Sequence, residues 1–84
     1  MRLVKNKLLI QVGQKIRSHR EQEGMSQEKM ADQAGLDRAY YGGIERGERN
    51  VAALNLIKIA FALKVEIGEL FPSLAGLRKG ADGR

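Results

Sequence analysis

The sequence predicts an all-α fold, a compact bundle of about five short helices. Apolar residues recur at helical spacing through most of the chain, and residues that cap helix starts stand ahead of these segments with Gly behind them. No stretch alternates apolar and polar residues as a half-buried strand does. With 84 residues the chain fits one domain and has no room for a two-domain enzyme. A domain of this size buries only roughly 60 to 65% of the surface its unfolded chain exposes, so its core is thin and pairing with a second copy would help it.

Leu9, Val12 and Ile16 lie at i, i+3 and i+7, with Lys15, Arg17 and His19 on other faces, which predicts a first helix over about residues 7–23, stopped by Gly24. Ser26 is a good N-cap for a second helix over residues 27–34, where Met30, Ala31 and Ala34 have helical spacing. Gly35 makes the turn, and Asp37 caps a third helix over about residues 38–46 that Gly47 stops. Residues 53–63 are apolar on two faces. Leu56, Ile59, Ala60 and Leu63 form one, and Leu54, Ile57 and Phe61 form the other. A helix apolar nearly all round asks to be covered on both sides, and a small monomer can cover only one, so the second face predicts self-association. Val65, Ile67, Leu70 and Phe71 predict a last short helix before Pro72 that adds dimer contacts. The chain thus divides into a basic arm at 1–7, a helical domain at 8–71 and a Gly-rich, charged tail at 72–84, the last expected to be largely disordered.

Fifteen Lys and Arg against ten Asp and Glu leave a formal charge of +5. The distribution is uneven: residues 1–20 hold Arg2, Lys5, Lys7, Lys15, Arg17 and Arg20 with no acid, whereas acids outnumber bases over residues 21–71. Charge alone fits an anion-binding surface or a solvated helix face equally well. Other chemistry finds little support. The chain has no cysteine, so there is no disulfide, thiolate metal site or thiol nucleophile, and His19 is its only histidine. Ser18, Ser26 and Ser73 have no base partner in the pattern, and no Gly-rich phosphate loop follows a strand. No catalysis, cofactor or metal is expected. The apolar runs are too short for a membrane span and the first 15 residues lack a signal peptide's apolar region, so a soluble cytoplasmic protein with no membrane partner is expected.

Two helices of about eight and nine residues, joined by a Gly turn and preceded by a longer one, make a helix-turn-helix pattern. Ala31 lets the helices approach, Gly35 turns, and Met30, Ala34, Leu36, Tyr41 and Ile44 point inward, leaving Arg38, Tyr40 and Arg46 outward as in a groove reader. On these residues the stretch SQEKMADQAGLDRAYYGGIERGERN, followed by LIKIAFALKV, resembles the lambda-repressor and Cro-like helix-turn-helix domains, or XRE type, over about residues 12–71. The segment DRAYYGGIERGERN is similar to the controller proteins of restriction-modification systems, small dimers that activate and repress transcription.

The resemblance implies roles residue by residue. Gln27, opening the second helix, takes a DNA phosphate with Ser26 beside it, and Arg46, Arg49 and Asn50 match positions used on the phosphate backbone. Base edges fall to Arg38, Ala39 and Tyr40, with Gly42 and Gly43 one turn on. Arg38 suits bidentate bonding to guanine, worth roughly 1 to 3 kcal/mol of discrimination, and Ala39 offers a methyl contact to thymine. Arg20 and Glu45 match an internal ion pair tying the first helix to the end of the third, and removing one partner of a fully buried pair costs about 3 to 5 kcal/mol. The dimer interface is expected at Leu54, Ile57, Phe61, Ile67, Leu70 and Phe71.

The chain departs from the family at three places. Tyr41 replaces the usual Val or Ile, so its ring either fits between helices or slides toward the surface. Gly42 and Gly43 put two poor helix formers in the reading helix, at about 1 kcal/mol each relative to Ala, which close approach to DNA would explain. Ala52 and Glu66 stand where the family often has a Ser or Thr cap, so those helix starts are expected to fray.

Together these readings predict a homodimeric, sequence-specific regulator of double-stranded DNA. It would place its third helices in successive major grooves of a near-palindromic operator, with half-sites about 34 to 36 Å apart. Activation would come from touching RNA polymerase, repression from covering the promoter. The competing reading is an antitoxin or bridging module that uses the Leu54, Ile57, Phe61 stripe to hold a different protein.

Overall fold

A computed structural model of the chain describes residues 7–73 and Ala75. Most of the basic arm and of the Gly-rich tail therefore lies outside the described residues. Within them the chain forms four α-helices: α1, Lys7–Gln22; α2, Gln27–Ala34; α3, Arg38–Glu45; and α4, Ala53–Leu63. The expected fifth helix is instead a single 3-10 turn, Ile67–Leu70.

The starts of α2 and α3 follow from their caps. Ser26 Oγ accepts from the backbone N–H of Lys29 at 3.0 Å, and Asp37 Oδ2 accepts from that of Tyr40 at 3.0 Å. Each takes up a donor that a helix start leaves orphaned. Ala52 gives α4 no side-chain cap, as its methyl dictates, and the burial of Leu56, Ile59, Ala60 and Leu63 holds that helix in place. Glu66 does not leave its turn uncapped, because Glu69 Oε2 accepts from its backbone N–H at 2.9 Å.

All four helices end in the same device. A residue in left-handed conformation donates its N–H to the helix three residues back, and the next residue donates five back. Gly35 (φ 70°) does this in the turn between α2 and α3, and Gly47 (φ 74°) at the end of α3. Gly47 is required twice over, since a Cβ there would also lie 2.6 Å from Ile10 Cγ1. At the end of α4 the place falls to Lys64 (φ 61°), a side chain that tolerates the conformation poorly.

The helices enclose one core of Val12, Ile16, Met30, Ala31, Ala34, Tyr41, Ile44, Leu56, Ile59, Ala60, Leu63 and Leu70. Helix α1 packs on α3, and α2 packs on both α3 and α4. The 3-10 turn closes the open end between α1 and α4. Tyr41 takes the inner of its two alternatives, with its ring fully buried among the helices. The crossing of α1 and α3 depends on Gly13, because a Cβ there would fall 2.5 Å from the carbonyl oxygen of Ile44 and against that of Glu45.

Candidate nucleic-acid interface

At the C-terminal end of α3 a buried acid organises the site. Glu45 Oε2 accepts from Arg20 Nε at 2.6 Å and from the Tyr41 hydroxyl, while Oε1 accepts from Arg20 Nη2 at 3.1 Å and from Gln27 Nε2 at 2.8 Å. Arg20 donates its remaining nitrogen, Nη1, to the Met25 carbonyl at 2.7 Å. One carboxylate thus joins α1, α2 and α3. The side chain of Glu45 is 1% exposed and that of Arg20 10%. Burial pushes the Glu45 carboxyl upward, but the hydrogen bonds from Arg20, Tyr41 and Gln27 outweigh it and hold the group below its usual range. The same hydrogen bond to Glu45 raises Arg20 against the opposing effect of burial. The Tyr41 hydroxyl is raised by burial and by its bond to the carboxylate, so it stays a proton donor. Arg20 is therefore a strut, as the family resemblance implies, and not a free cation.

From this anchor α3 runs back to its cap at Asp37, presenting Arg38 and Ala39 to solvent. Tyr40 is half-buried against the core, and its hydroxyl accepts from Asn55 Nδ2 at 3.1 Å, so it stands less free than an outward position implies. Gly42 and Gly43 are buried, and the atoms that cover them are arginine side chains. A Cβ on Gly42 would meet Nη1 of Arg38 and of Arg46 at 3.0 Å each, and one on Gly43 would meet Arg49 Cγ at 2.8 Å. Arg46 pairs through Nε with Glu48 at 2.9 Å, and Arg49 and Asn50 follow in the exposed loop. Gln27, at the start of α2, borders the same surface through its Oε1, and Ser26 precedes it as the cap of that helix. Arg17 and Gln14 of α1 line an open recess with Gln27, Glu45 and Arg46. The structure thus adds three residues to the expected set. Asn55 pins Tyr40, Arg17 extends the basic edge, and Gly13 seats α1 on the end of α3. Arg17 was legible in the acid-free charge of residues 1–20, and Gly13 in the cost of a glycine inside a helix. The Asn55 contact spans 15 residues and leaves no local signal.

A family model described as helix-turn-helix matches residues 16–70. The chain is 43% identical to the control protein C.MunI of a Mycoplasma species, over 82% of this chain and 95% of that one. The chain belongs to the helix-turn-helix family of DNA-binding transcription regulators. Among solved structures it is similar to the restriction-modification controller protein C.AhdI from Aeromonas hydrophila. Identity there is 51%, the TM-score is 0.74, and the match covers 75% of this chain and 96% of that one. It is also similar to SinR, a regulator of biofilm formation solved in complex with DNA. Identity is 32% and the TM-score 0.68, covering 70% of this chain and 95% of that one.

Opposite the core face of α4, this helix-turn-helix domain leaves a second apolar face open. Phe61 is 86% exposed, Leu54 63% and Ile57 53%; Ile67 lines a shallow recess with Ile57 and Phe61, and Phe71 is also exposed. Leu70 is a correction. The sequence pattern puts it at the dimer interface, yet it is fully enclosed by its own chain, because the 3-10 turn aims it between α1 and α4. Its neighbours Ile67 and Phe71 are turned outward instead. Among the described residues no helix is long and apolar enough to cross a membrane.

Proposed function

We propose that the chain is a homodimeric transcriptional regulator of the controller type, binding a near-palindromic operator with α3 of each protomer in the major groove. The observation that carries this reading is the edge of α3. Arg38, Arg46 and Arg49 emerge side by side above a helix fixed at one end by the Asp37 cap and at the other by the buried Glu45. In this reading Arg38 addresses a guanine, Ala39 and Tyr40 touch neighbouring base edges, and Ser26, Gln27, Arg46, Arg49 and Asn50 hold the phosphates. The face of Leu54, Ile57 and Phe61, extended by Ile67 and Phe71, pairs with its copy across the two-fold axis that the operator's symmetry mirrors. Contact with RNA polymerase gives activation and coverage of a promoter gives repression, both in the cytoplasm.

Selection of random duplexes by the purified protein, followed by sequencing of the enriched pool, tests the reading. An enriched inverted repeat is expected. Salt-sensitive binding with no enriched sequence would mean attraction to the backbone alone and refute specific recognition. Light scattering after size exclusion should give a dimer, whereas a monomer or a sticky aggregate would point to a different protein as the partner of the apolar face.

A further inference from the structure

Gly42 occupies the middle of α3 in right-handed helical conformation, so neither a turn nor a positive φ calls for glycine there. Core packing does not call for it either. The heavy atoms nearest a Cβ would be Nη1 of Arg38 and Nη1 of Arg46, at 3.0 Å each, and Oε1 of Gln27 at 3.5 Å. All three are tips of long side chains that approach from different places in the fold: the first turn of α3, the residue after it, and the start of α2. The two guanidinium nitrogens therefore lie within twice 3.0 Å of one another, like charges drawn together over a residue without a side chain. Two features steady them. Arg46 is held through Nε by Glu48, which leaves its Nη1 side free to face Arg38. Gln27 gives its amide nitrogen to the buried Glu45, so its carbonyl oxygen is the end turned toward the arginines, where a partial negative charge eases their approach.

We propose that Gly42 is a specificity-determining residue, because the absence of its Cβ lets the tips of Arg38 and Arg46 close in over the helix and converge on a single base step and its flanking phosphate. The proposal rests on the DNA-binding reading above. It makes Gly42 a positioning residue that acts through Arg38, and so differs from the expectation that the helix backbone itself comes close to DNA. A Cβ at this position meets both guanidinium tips at 3.0 Å, so each has to give way by a few tenths of an ångström. Arg38 then loses its bidentate geometry on guanine while the fold, which the change does not touch, is kept.

The test is a double-mutant cycle on Gly42→Ala and Arg38→Ala, with the operator selected by the wild-type protein and a copy in which the guanine assigned to Arg38 is replaced. Gly42→Ala should melt no lower than wild type, since Ala is the better helix former. It should still bind both duplexes but lose about tenfold in preference between them. In the Arg38→Ala background the same change should alter preference by less than twofold, because its route is already gone. The proposal is overturned if Gly42→Ala keeps the wild-type preference. Equal losses with and without Arg38 would also overturn it, since that result means direct contact of the helix backbone with DNA. If the wild-type protein selects no sequence at all, the DNA-binding reading fails first and takes this proposal with it.

Discussion

Replacing Glu45 with glutamine tests whether one buried carboxylate holds α1, α2 and α3 together. The change keeps the shape of the side chain and removes its charge. In the native protein the two oxygens of Glu45 receive four donated hydrogens, two of them from Arg20. A glutamine offers one acceptor oxygen and turns an N–H2 group toward donors, so at least two of these bonds are lost and the Arg20 cation stays in a site where its side chain is 10% exposed. Breaking a buried pair from one side costs about 3 to 5 kcal/mol. The lower end applies here, because Arg20 keeps its bond to the Met25 carbonyl. A domain of this length has a total stability of about 4 to 13 kcal/mol, so about 3 kcal/mol is a large share of it.

Urea unfolding at pH 7 measures the loss, and its pH dependence identifies the cause. The folded protein holds the Glu45 carboxyl below its usual range, whereas the unfolded chain releases it to about pH 4.3. The carboxylate's contribution is therefore present in full above about pH 4.3 and is lost as pH falls through the lower folded value. Glutamine has no such dependence, so the gap between wild type and Glu45→Gln should be widest near neutrality and shrink below about pH 4. A variant within about 1 kcal/mol of wild type at pH 7 would refute the reasoning. A gap that stays constant down to pH 3 would refute it as well.

Four further outcomes are expected. Gly13→Ala places a methyl against the carbonyl oxygens of Ile44 and Glu45, and the overpacking should cost about 2 kcal/mol, read as a Tm about 10 °C lower. Lys64→Gly relieves the left-handed conformation at the end of α4 and should raise stability by about 0.5 to 1 kcal/mol in the same thermal scan. Phe61→Asp, at the most exposed point of the apolar face, should convert the proposed dimer to a monomer in light scattering while leaving the helical circular dichroism unchanged. Arg49→Ala should weaken binding to all duplexes alike and lower the slope of log K against log salt by about one, the signature of a lost phosphate contact.

What could be read from the sequence follows from how local each cause is. Ser26 and Asp37 act on N–H groups three residues ahead, so their caps, and with them the starts of α2 and α3, are legible in one dimension. The two faces of α4 are equally plain, since eleven residues give three turns over which a stripe repeats. The segment at Ile67–Leu70 is one turn long, and a single turn has no period from which to tell the inner face from the outer. The pattern therefore groups Leu70 with the outward Ile67 and Phe71, whereas the turn buries it. The Arg20 and Glu45 pair, 25 residues apart, came from the family resemblance, but the parts played by Tyr41 and Gln27 in the same cluster did not. Gln27 meets Glu45 only where α2 crosses α3, 18 residues away, whereas Tyr41 meets it one turn along α3, a local spacing that many helical pairs share without bonding.

An eight-residue helix with two adjacent glycines would not hold its shape alone, since isolated helices shorter than about 12 residues are marginal even with good formers. The conformation of α3 is therefore imposed from outside its own backbone. Asp37 fixes the entry, Gly47 and the Glu45 cluster fix the exit, and between them Tyr41 and Ile44 tie one side to the core. Support of this kind leaves the outer side free of any structural duty, so its middle can dispense with side chains altogether. The guanidinium groups of residues at either end of the helix then fold back over that vacated middle. The price in helix propensity and the gathering of positive charge are thus two sides of one arrangement. A more strongly helical sequence at Gly42 and Gly43 would make a better helix, but its Cβ atoms would press on the arginine side chains that lie over them.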